Sequence, residues 1–171
     1  MRDLISKVAT WAIMSLIVIS TSNLVIAEEV GKIRPEVMCL AKNIYYEAGN
    51  ESFDGKVAVA QVTLNRVEHE QFPDEVCGVV YQKTRRADNK KIVCQFSWVC
   101  EAGRVSIRYH SDRWRESLNV ARDAIDQGLR LDELEEALFY HNIHVRPGWG
   151  LEKITKIGGH IFYNEQRIKK R

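Results

Sequence analysis

Cys39-Leu40-Ala41-Lys42-Asn43-Ile44-Tyr45-Tyr46-Glu47-Ala48-Gly49-Asn50-Glu51 is a short amphipathic run that ends on a carboxylate. Val37, Leu40, Ala41, Ile44 and Ala48 recur at helical spacing, which predicts a helix with one apolar face packed against a core. Gly49-Asn50 is expected to stop it, since both residues tolerate the left-handed conformation of a helix C-terminus. Glu47 would then be shielded by Tyr45, Tyr46 and the packed face, near the negative end of the helix dipole. Both effects raise a carboxyl pKa, which suits a general acid that must hold its proton near neutral pH. From this stretch alone a solvated helix-end carboxylate is the commoner alternative, and Glu51 reads as structural, a cap for the helix that follows.

Towards the N-terminus, a charged start is followed by an apolar segment from Val8 to Ile19 and by Val25-Ile26-Ala27. This is the pattern of a secretory signal peptide over residues 1–27, with cleavage after Ala27. No cysteine follows that point, which argues against a lipoprotein. The segment is also about long enough to span a bilayer, so an uncleaved anchor is the alternative and the only expected membrane contact. The expected location is secreted or periplasmic.

Residues 28–171 are expected to form one catalytic domain, a monomer with its own core. They hold 23 basic and 22 acidic residues. That balance argues against nucleic acid as a partner, the basic end Arg167–Arg171 reading as a solvated tail. All four cysteines, Cys39, Cys77, Cys94 and Cys100, lie beyond the cleavage point. An even count in an exported chain suggests two disulfides. Of three possible pairings, Cys94 with Cys100 and Cys39 with Cys77 are expected. The absence of CxxC spacing argues against a four-cysteine metal site, and no metal or other cofactor is expected.

Towards the C-terminus, Lys56–Val67 is rich in alanine and valine without clean alternation and reads as a buried helix, the natural partner of the first. Its Asn65-Arg66 pair reads as a satisfied helix-terminus pair. Pro73-Asp74-Glu75 starts a short helix over Val76–Tyr81. Thr84–Lys91 reads as an exposed loop, and Ile92–Glu101 as a strand or hairpin closed by a disulfide, with Gln95, Ser97 and Trp98 able to line a groove. Ser111-Asp112 caps a helix from Arg113 to Gln127 that buries Trp114, Leu118, Ala121 and Ile125 and stops at Gly128. Ala137–Asn142 reads as a buried strand delivering Tyr140 and His141 to a loop, and Lys153–Tyr163 as strand, turn, strand.

Taken together, these motifs resemble the SleB-type cell wall hydrolases, known from spore-cortex-lytic enzymes. The resemblance runs through Ile44-Tyr45-Tyr46-Glu47-Ala48-Gly49-Asn50-Glu51, where the family usually has arginine at or near Asn50, and through Gly55–Val62 with Leu64-Asn65-Arg66-Val67. It continues in Val76–Gln82, Cys94-Gln95-Phe96-Ser97, Tyr140-His141, Pro147-Gly148-Trp149 and Gly158–Tyr163, in order over residues 39–163. It implies an α+β, lysozyme-like domain with a helical core and a small antiparallel sheet. The implied activity is cleavage of peptidoglycan between N-acetylmuramic acid and N-acetylglucosamine by a lytic transglycosylase. Carried over by position, its catalytic glutamate is Glu47. Gln95, Ser97, Tyr140 and His141 are the candidate groove residues. Spore members often carry a separate wall-binding domain, for which this chain has no room, so general wall remodelling or phage-assisted lysis is the expected setting.

Three alternatives stand beside this one. A true muramidase needs a second carboxylate, for which Glu51 is the sequence neighbour. A zinc enzyme acting on wall peptides could use His141, His144 and His160, although no HExxH motif is present. A secreted glycan-binding module without catalysis could use Trp98, Trp149 and Tyr163 as a platform.

Overall fold

The computed structural model describes residues 33–101 and 106–167. The expected signal peptide and the last four residues of the basic tail lie outside them. Helix α1 spans Pro35–Ala48, with Val37, Leu40, Ala41, Ile44, Tyr45 and Ala48 buried as the spacing predicts. Helix α2, Phe53–Glu68, is capped by Ser52, whose hydroxyl accepts from the Gly55 amide. The cap is therefore Ser52 and not Glu51. Every residue of α2 from Gly55 to Leu64 is buried, the mark of a helix enclosed on all sides.

α1 and α2 meet through small side chains and one polar contact. Asn43 Nδ2 donates to Thr63 Oγ1 (3.1 Å), Thr63 donates to the Val59 carbonyl, and Trp98 Nε1 donates to Asn43 Oδ1 (3.0 Å). Asn43 and Thr63 are fully buried, so these bonds remove what would otherwise be a desolvation penalty of about 1–3 kcal/mol per group. Lys56, also buried, donates to the Glu51 carbonyl and pairs with Glu116 (3.2 Å), tying the α1–α2 turn to a later helix.

Helix α3, Val76–Val80, follows Pro73 as predicted. Strands β1, Lys83–Arg85, and β2, Ile92–Cys94, form an antiparallel hairpin. Lys83-Thr84-Arg85 is fully exposed, so it lacks the half-buried alternation that identifies a strand from sequence, and the expected loop begins only at Arg86. After Cys94 the chain does not continue extended. Ser97–Cys100 forms a short helical turn, α4, which moves Trp98 off the expected strand and stacks it on Tyr46, with centroids 4.6 Å apart.

Helix α5, Asp112–Asp126, is capped by Ser111, whose hydroxyl accepts from the Trp114 amide, and the chain leaves it at Gly128 with φ +66°. A 3-10 turn at Asp132–Leu134 leads into β3, Phe139–Asn142. Strands β4, Leu151–Ile157, and β5, His160–Arg167, complete an antiparallel sheet of order β3-β5-β4. One apolar core joins α1, α2, α3 and α5. A second cluster of Ala58, Val62, Leu134, Ala137 and Phe162 seats the sheet on α2. The cysteines pair as Cys39–Cys77, joining α1 to α3, and Cys94–Cys100, closing the turn after β2. The architecture is α+β with a helical core, as expected, although the strands form two small sheets.

One expectation about α1 fails. Neither Gly49 nor Asn50 adopts a positive φ. The Arg113 guanidinium instead occupies the space a Gly49 side chain would fill, and its Nε donates to the Tyr45 carbonyl (3.1 Å). Gly49 is needed for this close approach, and α1 ends under a cation placed at its negative pole.

Candidate active site

The last turn of α1 carries Glu47, half-buried, into a cleft of about 230 Å³ lined by Glu47, Arg66, Gln95, Phe96, Ser97, Phe139, Tyr140 and Trp149. Each wall comes from a different element. Glu47 is delivered by α1, Arg66 by the last turn of α2, Gln95–Ser97 by the disulfide-closed turn, and Phe139 and Tyr140 by β3.

Tyr140 donates to Glu47 Oε2 (3.2 Å). Burial raises the Glu47 pKa above the usual carboxylate range. The Tyr140 hydrogen bond and the Arg66 charge pull it back, and Glu101 adds a further upward push. Tyr45 and Tyr46, expected beside it, make contacts of their own. The Tyr45 hydroxyl accepts from the Arg108 amide, and Tyr46 lies against Trp98. Burial, with the Glu47 charge next, holds the Tyr140 hydroxyl well above its ordinary pKa, so it remains a donor.

Arg66 is the site residue that sequence reasoning missed. It is only 4% exposed. Its Nε donates to the Leu138 carbonyl (2.8 Å), and its guanidinium lies 5.3, 5.5 and 6.0 Å from the ring centroids of Phe72, Phe96 and Phe139. The Gln95 amide is assigned with its oxygen accepting from Nη1 and Nη2 at 3.0 and 3.2 Å. Among the described residues Arg66 has no carboxylate at ion-pair distance. Its neighbour Asn65 does behave as a satisfied terminus residue, donating to the carbonyls of Leu134, Glu135 and Ala137. The available signal was an arginine in the last turn of a helix rich in alanine and valine and read as buried, since such a cation needs a built partner.

Of the other predicted groove residues, Gln95, Ser97 and Tyr140 line the cleft and His141 does not. Successive residues of β3 face opposite sides, and on the face that His141 shares with Phe139 its ring is taken up by Tyr163 and Trp149. Tyr140 packs with His160 and Phe162, whereas His141 stacks on Tyr163, bonds its hydroxyl through Nε2 (2.8 Å) and stands against Trp149. Glu51 is turned away as well. Its Oε2 accepts from the Gly159 amide (3.0 Å), and a Cβ at Gly158 or Gly159 would collide with its carboxylate.

The proposed zinc set does not converge either. His141 and His160 face opposite sides of the sheet, and among the described residues no group of three histidine, cysteine or acidic side chains could hold a metal. Trp149 and Tyr163 are neighbours, with centroids 6.0 Å apart, but Trp98 belongs to a separate aromatic group with Tyr46 and Tyr81.

The sequence profile of the cell wall hydrolase family matches residues 50–163. A spore cortex-lytic enzyme of Bacillus subtilis (strain 168) is 30% identical over 131 residues, covering 74% of this chain and 37% of that protein. One from Oceanobacillus iheyensis is 32% identical over 131 residues, covering 74% of this chain and 41% of that protein. The chain thus spans about two-fifths of the length of these curated relatives. The catalytic domain of the germination-specific lytic transglycosylase SleB from Bacillus anthracis superposes with a TM-score of 0.58 at 30% identity, covering 78% of this chain and 98% of that domain. The catalytic domain of the Bacillus cereus SleB protein gives 0.53 at 27% identity, covering 78% and 94%. The α+β, lysozyme-like class expected from the sequence agrees with these neighbours.

Proposed function

Because this chain belongs to the cell wall hydrolase family, we propose that it cleaves the glycan strand of peptidoglycan between N-acetylmuramic acid and N-acetylglucosamine, as a lytic transglycosylase with Glu47 as its acid and base. The observation that carries this reading is the cleft itself. Glu47 is the one acidic residue lining it, its pKa raised by burial and one of its oxygens hydrogen-bonded by Tyr140.

That hydrogen bond leaves Oε1 without this contact, and in this reading Oε1 carries the proton to the glycosidic oxygen. Transfer of this proton to the leaving oxygen accompanies cleavage of its bond to C1 and leaves positive charge on the muramyl ring. The ionised Glu47 then takes the proton of the C6 hydroxyl as that oxygen bonds to C1. The product is a 1,6-anhydro ring, and the acid is regenerated without water or a second carboxylate. Arg66 and Tyr140 both favour the charged form of Glu47, so they stabilise the intermediate state in which it is ionised. The setting is outside the cytoplasm, reached through the expected signal peptide of residues 1–27 and compatible with two disulfides.

One observation favours a second reading, hydrolysis. Glu101 lies near enough to raise the Glu47 pKa, which makes it, and not Glu51, the candidate partner carboxylate for a muramidase. Mass spectrometry of purified peptidoglycan digested by the chain and by Glu47→Gln separates the two. Anhydro-muramic ends absent with the variant are expected. Reducing muramic ends would replace transglycosylation by hydrolysis, and intact glycan with both proteins would overturn the glycosidase reading.

A further inference from the structure

We propose that the β1–β2 hairpin docks on an anionic phospholipid bilayer, a membrane contact separate from the N-terminal apolar segment. Residues 28–171 are nearly balanced in charge. Residues 83–93, however, hold five basic side chains, Lys83, Arg85, Arg86, Lys90 and Lys91, against the single acid Asp88. Arg86 takes that acid at two points, Nε donating to Oδ1 (3.0 Å) and Nη2 to Oδ2 (2.6 Å). Among the described residues the other four cations have no carboxylate at ion-pair distance. Every residue from Lys83 to Val93 is exposed.

Lysines on unpaired strand edges have an ordinary use, which is to discourage pairing with another chain. That use does not account for Ile92 and Val93, which are 51% and 43% exposed in the same hairpin. The register sets Ile92 opposite Arg85 and Val93 opposite Thr84, so each face of the ribbon carries an apolar side chain. A dissolved polyanion would engage the cations and leave both apolar groups in water. A bilayer interface takes both kinds, phosphates meeting the cations while Ile92 and Val93 enter the boundary between headgroups and acyl chains. The sheet has two strands and therefore two unpaired edges, which keeps the ribbon at headgroup depth and out of the hydrocarbon. Its base is fixed by the Gln95 amide donating to the Gln82 carbonyl (2.9 Å) and by Cys94–Cys100. The next residues, Gln95 to Ser97, line the cleft. On the glycan-cleaving reading, docking therefore holds the cleft at the wall layer nearest the membrane.

The compact unit that begins at Pro35 contains both apolar clusters and both disulfides. Residues 28–171 can thus be tested without the N-terminal segment, whose own affinity for lipid would mask the effect. Co-sedimentation with phosphatidylcholine vesicles is expected only when phosphatidylglycerol is included, and should weaken as salt is raised. Replacing Lys83, Arg85 and Lys91 together by glutamine should weaken binding roughly tenfold or more. Replacing Ile92 and Val93 by serine leaves the charge unchanged and should weaken it roughly threefold or more. Glutamine at Lys169, Lys170 and Arg171 should have no comparable effect. Melting temperatures and cleavage of soluble glycan fragments should match the parent in all three variants. Equal sedimentation with both kinds of vesicle, or binding that the tail variant alone abolishes, would overturn the proposal. So would parent-like vesicle binding by the serine variant with competition by soluble poly(glycerol phosphate), which would assign the hairpin to a wall polyanion. A chain that sediments as expected but cleaves no glycan would overturn the glycosidase reading and leave this inference standing.

Discussion

The Tyr140 hydroxyl donates to Glu47 Oε2 across 3.2 Å, joining the end of the first helix to a strand 93 residues later. The bond lowers the Glu47 pKa and leaves the other carboxyl oxygen without this contact. Tyr140→Phe removes one charge-assisted hydrogen bond of about 1.5–3 kcal/mol. At that magnitude kcat/KM should fall roughly 10- to 100-fold. The alkaline limb of the pH profile, where Glu47 loses its proton, should move to higher pH, because a factor that lowered its pKa is gone. A limb that stays in place would separate Tyr140 from the titration of Glu47.

Glu47 should also leave a signature in stability. Its folded-state pKa is raised, chiefly by burial, so the folded state holds the proton more tightly than the unfolded chain. The favourable state, with Glu47 neutral in both forms, exists below the unfolded pKa. Stability is lost as pH rises from there through the folded pKa, by about 1.4 kcal/mol for each pH unit that separates the two values. Glu47→Gln is expected to be inactive yet to melt higher than the parent at pH 7, with the difference vanishing near pH 4. Equal melting temperatures at both pH values would show that Glu47 is not held protonated by its site.

Glu51 is predicted to matter for the fold and not for the chemistry. Its carboxylate holds the β4–β5 turn through the Gly159 amide, and Gly158 with φ +54° leaves room for it. Glu51→Gln keeps an acceptor and should cost about 1 kcal/mol in urea unfolding while leaving kcat within a few-fold. Glu101→Gln provides the contrast. It should leave a transglycosylase active, and a loss of 10²-fold or more would mark Glu101 as the second carboxylate of a hydrolase.

Much of this site was legible because its pieces sit at ends of strongly patterned elements. The α1 stripe led to Glu47, Ser111 and Gly128 bounded α5, and the apolar run after Ala137 pointed at Tyr140. Three features were hidden for physical reasons. Arg66 closes a buried helix, and sequence shows neither the Leu138 carbonyl nor the Gln95 amide that make its burial tolerable. His141 neighbours Tyr140 in sequence, but strand alternation puts the two on opposite faces. At Gly49 the choice between a left-handed stop and a close approach depended on Arg113, a residue 64 positions away. The resemblance to cell wall hydrolases reached Glu47 by motif, whereas the cleft it lines together with Phe96, Phe139 and Tyr140 required the fold.

The two disulfides should separate stability from activity. Cys39–Cys77 closes a loop of 38 positions and Cys94–Cys100 one of 6. Loop-closure entropy then assigns about 4 kcal/mol to the first and about 2 kcal/mol to the second. The longer bridge ties α1 to α3 on the core side, away from the residues that line the cleft. The shorter one encloses Gln95, Phe96 and Ser97, all of them cleft lining. Replacing Cys39 and Cys77 by alanine should therefore lower the urea midpoint more, with kcat/KM of the folded fraction nearly intact. Replacing Cys94 and Cys100 should lower the midpoint less and kcat/KM by tenfold or more, because Gln95 then loses its fixed distance from Arg66. Urea unfolding and initial rates on the same two preparations give both quantities. If the short bridge proved the larger contributor to stability and left the rate untouched, the Gln95–Ser97 turn would not be part of the working cleft.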